Sequence, residues 1–181
     1  MRGYTVRSTY THAQSAATKA ADVVMLIFLC AAALFLLFRL MLAPVMTSEP
    51  RVEGLEDGEI ILVDRLAKFF FDFKVGDLVC ADLGGGIEQY RVAAPGGATV
   101  TVRGGRLFVN DGLLDDSAYA TPFDEGVEKE FTVPQGSVLL LPDEREGLDL
   151  GNPQIYIKPV GGIYGKLRMR IYPLDKLCIF G

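Results

Sequence analysis

The chain has little of what metal, redox and nucleotide chemistry require. Its 181 residues include three cysteines, one histidine and no tryptophan. A single imidazole, His12, and the lack of any Cys-x-x-Cys pair leave a zinc site almost without ligands. No metal is expected, and no organic cofactor. Cys30 falls inside an apolar run. Cys80 and Cys178 are open to pairing if they lie outside the cell, and spacing alone does not say whether their side chains meet. Lysine and arginine are nowhere clustered and the net charge is -5, which argues against nucleic acid as a partner. Gly84-Gly85-Gly86 is a loop without the Lys-Ser/Thr that completes a phosphate-binding loop. There is no internal repeat and no low-complexity segment.

One long hydrophobic run stands out. Residues 23–38 are 16 consecutive apolar residues; Arg39 interrupts them, and apolar residues resume over 40–46. As a helix, 23–46 would extend roughly 36 Å, against a hydrocarbon core of about 30 Å. This predicts a transmembrane helix over 22–46, with Arg39 snorkelling to the interface and Pro44 marking a bend or an end. The flank 1–21 carries Arg2, Arg7 and Lys19 and no acid. The far flank carries Glu49, Glu53, Glu56, Asp57 and Glu59 against Arg51. The positive-inside rule then places 1–21 in the cytoplasm and 47–181 outside, on a single-pass protein of the cell membrane. The run is longer than the core of a cleaved secretory signal, and bulky residues 40–42 precede Ala43 where a small-x-small cleavage site would be needed, so the segment reads as a retained anchor.

Beyond the run the period changes. Short stretches of Val, Ile, Leu, Phe and Tyr alternate with Gly, Pro and Asp, the pattern of strands and turns. Strands are predicted over 59–64, 77–81, 88–93, 98–103, 106–109, 128–133, 137–141 and 165–172. Gly104-Gly105 is expected to close a hairpin, and Asn110-Asp111-Gly112 the next turn. The one helical hint is short, over 66–71. Phe69, Phe70, Phe71 and Phe73 are unusual so near an anchor. They fit either core packing or a patch resting on the bilayer surface, and periodicity does not choose for so short a run.

Ser48-Glu49-Pro50, Gly58-Glu59-Ile60-Ile61-Leu62-Val63, Gly76-Asp77-Leu78-Val79 and Tyr90-Arg91-Val92, with further stretches after them, resemble in order the characteristic segments of type I signal peptidases. Ser48-Glu49-Pro50 and Gly58-Glu59-Ile60-Ile61-Leu62-Val63 look like the two halves of the family's Ser-Met-x-Pro-Thr-Leu-x-x-Gly-Asp segment and its following strand. Gly76-Asp77-Leu78-Val79 is similar to Gly-Asp-Ile-Val. Tyr90-Arg91-Val92-Ala93-Ala94-Pro95-Gly96-Gly97 resembles Lys-Arg-Val-Ile-Gly-x-Pro-Gly-Asp. Leu107-Phe108-Val109-Asn110-Asp111-Gly112, Val133-Pro134-Gln135-Gly136, Pro142-Asp143-Glu144-Arg145, Ile163-Tyr164-Gly165-Lys166 and Tyr172-Pro173-Leu174 match later segments. The resemblance implies a mainly β fold, a domain of coiled antiparallel sheets tethered by one N-terminal transmembrane helix.

It also implies a Ser nucleophile and a Lys general base, and there the chain departs from the pattern. A serine hydroxyl needs a neighbour to take its proton, and a lysine does so only when burial lowers its pKa. The base position holds Tyr90, a phenol with an ordinary pKa of about 10. Arg91 does not give up its proton. His12, the residue type some relatives use as base, falls on the cytoplasmic side. Family spacing counted back from Gly58 places Pro50 where the serine belongs, so Ser48 is the candidate nucleophile only across a longer loop; otherwise it is an ordinary turn residue at a helix exit. Lys68 and Lys74 do not align with the base either. Asp143 and Arg145 read as structural charges at a turn.

The favoured reading is a membrane-anchored pseudoenzyme. Its cleft, with Glu49, Pro50 and Arg91, would hold extended segments of exported or pilin-like proteins by strand addition. Dyad-lacking relatives are associated with surface pilus assembly in Gram-positive bacteria. The alternative is an active serine endopeptidase that cleaves signal peptides with Ser48 as nucleophile, and a bare scaffold is the third reading. The expected partners are such peptides and the lipid bilayer.

Overall fold

The computed structural model describes residues 5–180, with side chains from Thr18 onward. Arg2 and the side chains of Arg7 and His12 lie outside the described residues. The chain divides into two units, Met1–Met41 and Leu42–Gly181.

The first unit is one helix, α1 (Thr5–Met41). Within it Thr18–Met41 is a 24-residue stretch long and apolar enough to cross a membrane. Its large apolar side chains are exposed on every face, which is the surface lipid would cover, and it fits a membrane anchor. The predicted boundary at residue 46 is corrected. The helix ends at Met41, and Leu42–Met46 forms a strand, β1, paired antiparallel with β2 (Ile60–Asp64) from Leu42↔Asp64 to Met46↔Ile60. Pro44 explains the change. It cannot continue the α-helical hydrogen bonding, and an outer strand tolerates it.

The second unit is mainly β, with two curled antiparallel sheets. The remaining elements are α2 (Ala67–Phe70), β3 (Leu78–Asp82), β4 (Ile87–Pro95), β5 (Thr99–Arg103), β6 (Arg106–Val109), β7 (Gly112–Leu113), β8 (Lys129–Thr132), β9 (Ser137–Leu141), β10 (Ile157–Pro159), β11 (Ile163–Tyr172) and β12 (Cys178–Ile179). The larger sheet runs β1-β2-β11-β3-β4-β9-β10, with β12 on β11; the smaller runs β7-β6-β5-β8. The expected strands all form, within one or two residues of their predicted ends. Gly104 and Gly105 have φ of 56° and 72°, and the pairing Arg103↔Arg106 makes them a two-residue hairpin loop of the kind that needs positive φ at both positions.

Strand β9 explains how the core is divided. All five of its residues are buried. Side chains alternate across a strand, so Leu139 and Leu141 enter one cluster with Val100, Leu107 and Phe123. Val138 and Leu140 enter another with Phe73, Val79, Tyr90 and Ile163. A third cluster joins Ile61, Val63, Cys80 and Leu167. Each fully buried Leu or Ile contributes about 1.5–3 kcal/mol. Strand β9, fixed on both faces, delivers Pro142 to Arg145 to the site as a rigid end. Gly165 is required by a close approach: a Cβ there would lie 2.5 Å from Asp64 O and 2.7 Å from Val63 Cγ1. Cys80 is buried and Cys178 exposed, and both are free thiols, so the open pairing resolves as no disulfide.

Candidate peptide-binding site

The loop from β1 to β2 is closed by a residue the sequence did not single out. Thr47 is buried; its N–H donates to Glu59 O at 2.9 Å, and its carbonyl accepts from Gly58 N–H at 3.0 Å. Its hydroxyl donates to Glu56 O and accepts from Glu59 N–H at 2.9 Å. No local pattern announces this role, because the partners are brought round by the β1–β2 pairing. Ser48, next to it, is exposed and makes no hydrogen bond among the described residues. Glu49 is also exposed, turns the chain with φ 46°, and points its N–H toward Asp57 Oδ1 at 3.4 Å. Pro50 is half-buried. With Val52, Tyr119, Thr121 and Asp143 it lines a cavity of about 300 Å³.

Tyr90 and Arg91 are neighbours on β4 and point to opposite faces. Tyr90 is buried in the cluster with Phe73, Val79 and Val138. Its hydroxyl donates to Glu88 Oε2 at 2.8 Å. Burial first, then the hydrogen bond to Glu88 and the charge of that carboxylate, push the phenol well above its ordinary value; the nearby Arg51 opposes them weakly. The Tyr90 hydroxyl is therefore a committed donor. The i, i+2 spacing of Glu88 and Tyr90 on one strand is the sequence signal that predicts this pair.

Arg91 belongs to a frame. Its Nε and Nη2 donate to the two oxygens of Asp143 at 2.8 and 2.7 Å, its Nη1 donates to Gly76 O at 3.2 Å, and its guanidinium lies 3.9 Å from the ring centroid of Tyr119. Asp143 also accepts from Glu53 N–H at 2.9 Å and donates its own N–H to Arg51 O at 2.8 Å. Arg145 is buried and donates to Asp116 at 2.5 Å. Asp143 and Arg145 are thus structural in geometry, holding loop 51–53 against β4 and the segment around Thr121.

The lysines are accounted for elsewhere. Lys68 Nζ donates to the carbonyls of Gly161 and Ile163, Lys158 to that of Asp82, and Lys166 pairs with Asp77 at 2.7 Å. Lys176 pairs with Glu56, whose hydrogen bond raises its pKa and holds it protonated. Lys74 is exposed. None donates to Ser48. Among the described residues from Thr18 onward there is no group of three or more His, Cys, Asp or Glu side chains placed to hold a metal.

The outer edge of β1 can do something else. It is the terminal strand of the larger sheet. Thr47 N–H faces β2, so by alternation Ala43 and Val45 also face inward, and Leu42, Pro44 and Met46 present their backbone to the open side. The proline there costs the sheet no hydrogen bond. The edge is hidden in the sequence because its apolar residues continue the composition of the helix before it.

An anchored β domain with curled antiparallel sheets, an open terminal strand and these ordered segments defines a signal-peptidase-like protein. The family model "Signal peptidase, peptidase S26" matches residues 20–148, from within α1 to just past Arg145, and the chain belongs to that family. No curated protein matches the chain.

Proposed function

We propose that the protein is a catalytically silent member of the signal peptidase family that holds extended segments of exported proteins along the outer edge of β1. The Tyr90 hydroxyl carries this reading. It sits at the position that matches the family's base, donates to Glu88 at 2.8 Å, and is held protonated by burial. Pro50 at the matching nucleophile spacing and a Ser48 hydroxyl without a partner among the described residues support the same conclusion. Strand addition needs backbone groups and side-chain pockets and no dyad. The β1 edge supplies the first, and the cavity beside Pro50 and Tyr119 supplies a pocket. Glu49, Pro50 and Arg91 have distinct parts: Glu49 shapes the turn, Pro50 walls the pocket, and Arg91 braces it from behind. α1 spans the cell membrane once over Thr18–Met41, with the N-terminus in the cytoplasm and the β domain outside. Pilin-like subunits are among the segments held, in support of surface pilus assembly, the role associated with dyad-lacking relatives.

The test is cleavage of a signal-peptide-bearing preprotein by the full-length protein in detergent, beside Ser48→Ala and Tyr90→Lys variants. No cleavage by wild type or by Ser48→Ala is expected. Cleavage by wild type that Ser48→Ala abolishes overturns the proposal in favour of a serine endopeptidase.

A further inference from the structure

Three consecutive phenylalanines stand out in the second unit. Phe69, Phe70 and Phe71 are 68, 71 and 62% exposed, whereas Phe73 is 6% exposed and packs in the cluster with Val79 and Tyr90. The run is therefore split. One ring fastens the turn to the core, and three are held out in water by a backbone that is itself fixed. Asp64 Oδ1 accepts the N–H groups of Leu66 and Ala67 at 3.0 and 3.1 Å, and its Oδ2 accepts from Arg168 Nη2 at 3.0 Å. A rigid turn presenting three large apolar rings is costly in water unless something covers it.

Strand register says where this turn lies. Leu42 is the first residue after α1, and it pairs with Asp64. The aromatic turn begins directly after Asp64. The rings thus emerge at the end of the sheet where the chain enters the domain from its membrane-crossing segment. Charge points the same way. The whole chain carries -5, yet residues 65–74 hold three cations, Arg65, Lys68 and Lys74, against one carboxylate, Asp72. Lys68 donates to neutral carbonyls and lies 5.5 Å from the Phe69 ring centroid, and Arg65 lies over the Tyr164 ring, 5.2 Å from its centroid, so no carboxylate among the described residues neutralises either. Aromatic rings favour the headgroup level of a bilayer, and basic side chains beside them favour anionic headgroups.

We infer that the turn 65–74 is a membrane-interface wedge. Phe69, Phe70 and Phe71 seat among the lipid headgroups, and Arg65, Lys68 and Lys74 hold anionic lipid around them. The wedge stands independently of whether the β1 edge binds peptide.

The chain has no tryptophan, so one substitution makes a clean probe. Full-length Phe70→Trp is reconstituted at high lipid-to-protein ratio in vesicles of zwitterionic lipid, with or without anionic phosphatidylglycerol. Leu113→Trp, a half-exposed position on the smaller sheet, is the reference. In anionic vesicles the Phe70→Trp emission is expected to be blue-shifted, several-fold more quenched by lipids brominated on the upper acyl chain than Leu113→Trp, and less quenched by aqueous acrylamide. Lys74→Glu is expected to reduce that lipid quenching. Equal acrylamide quenching at the two positions overturns the inference. So does shielding that disappears on further dilution of the protein in lipid, which would assign the rings to a second copy of the chain. Lipid quenching indifferent to anionic lipid and to Lys74→Glu overturns the part given to the cations.

Discussion

Arg91 and Asp143 meet side by side, with Nε to Oδ1 at 2.8 Å and Nη2 to Oδ2 at 2.7 Å, both side chains mostly out of water. The pair closes a frame through Glu53 N–H and Arg51 O that sets the wall of the pocket beside Pro50. Asp143→Ala leaves a mostly buried guanidinium without its carboxylate and should cost up to about 3–5 kcal/mol, the bond to Gly76 O and the Tyr119 ring remaining. Asp143→Asn should cost less, because the amide oxygen still accepts one bond. Denaturant unfolding of the full-length protein in detergent measures both. Near-wild-type stability for Asp143→Ala would remove the frame from the account.

The second prediction concerns alkaline pH. The folded protein holds the Tyr90 proton more tightly than the unfolded chain, so the stabilisation is complete below the ordinary phenol value of about 10 and fades as pH climbs through the raised folded-state value. Tyr119 and Tyr156 are raised by burial in the same sense. Tyr90→Phe should lose about 1 kcal/mol at neutral pH, the net worth of the hydroxyl's bond to Glu88. It should also show a shallower fall in unfolding midpoint above pH 10 than wild type. Parallel curves for the two proteins would show that the Tyr90 proton is not linked to folding.

The third concerns the edge of β1. Met46 faces its N–H to the open side, so Met46→Pro should leave the pairing with β2 intact while deleting one donor for an added strand. One such bond is worth about 0.5–1.5 kcal/mol, a loss of roughly two- to tenfold in affinity. Val45→Pro, which removes an inward donor, should destabilise the domain instead. Anisotropy of a fluorescent signal-peptide segment, read beside a melt of each variant, separates the two effects. Unchanged affinity in Met46→Pro would move the binding away from this edge.

Legibility in the sequence followed how local each feature is. Strands such as β5, β6 and β9 were readable because their apolar runs are cut by Gly, Pro and Asn at turn positions. β1 was not, since its five residues continue the apolar composition of the anchor, and hydropathy does not distinguish a membrane helix from a strand that follows it without a gap. Pro44 was the available clue, and it marks the change of structure. At the site, the bond from Tyr90 to Glu88 follows from the strand period. The closure by Thr47 and the tie between Arg91 and Asp143, 52 positions apart, arise only when separate strands are brought into register. The aromatic run illustrates the limit of periodicity. Four phenylalanines of like hydropathy divide into one core ring and three exposed ones because Phe73 falls against Val79 and the others do not.

The last prediction tests orientation through the cysteines. Cys80 is buried between β11 and β4, and burial pushes its thiol up to about 12, so it offers almost no thiolate to a reagent near neutral pH. Cys30 lies within the stretch that is long and apolar enough to cross a membrane. Cys178, on the short outer strand β12, is exposed and free. A membrane-impermeant maleimide applied to intact cells should therefore label one site. Cys178→Ser should abolish the signal, and Cys80→Ser should leave it unchanged. Labelling that appears only after lysis would place the β domain in the cytoplasm. That would reverse the orientation inferred from Arg2, Arg7 and Lys19 and deny the β1 edge access to exported chains.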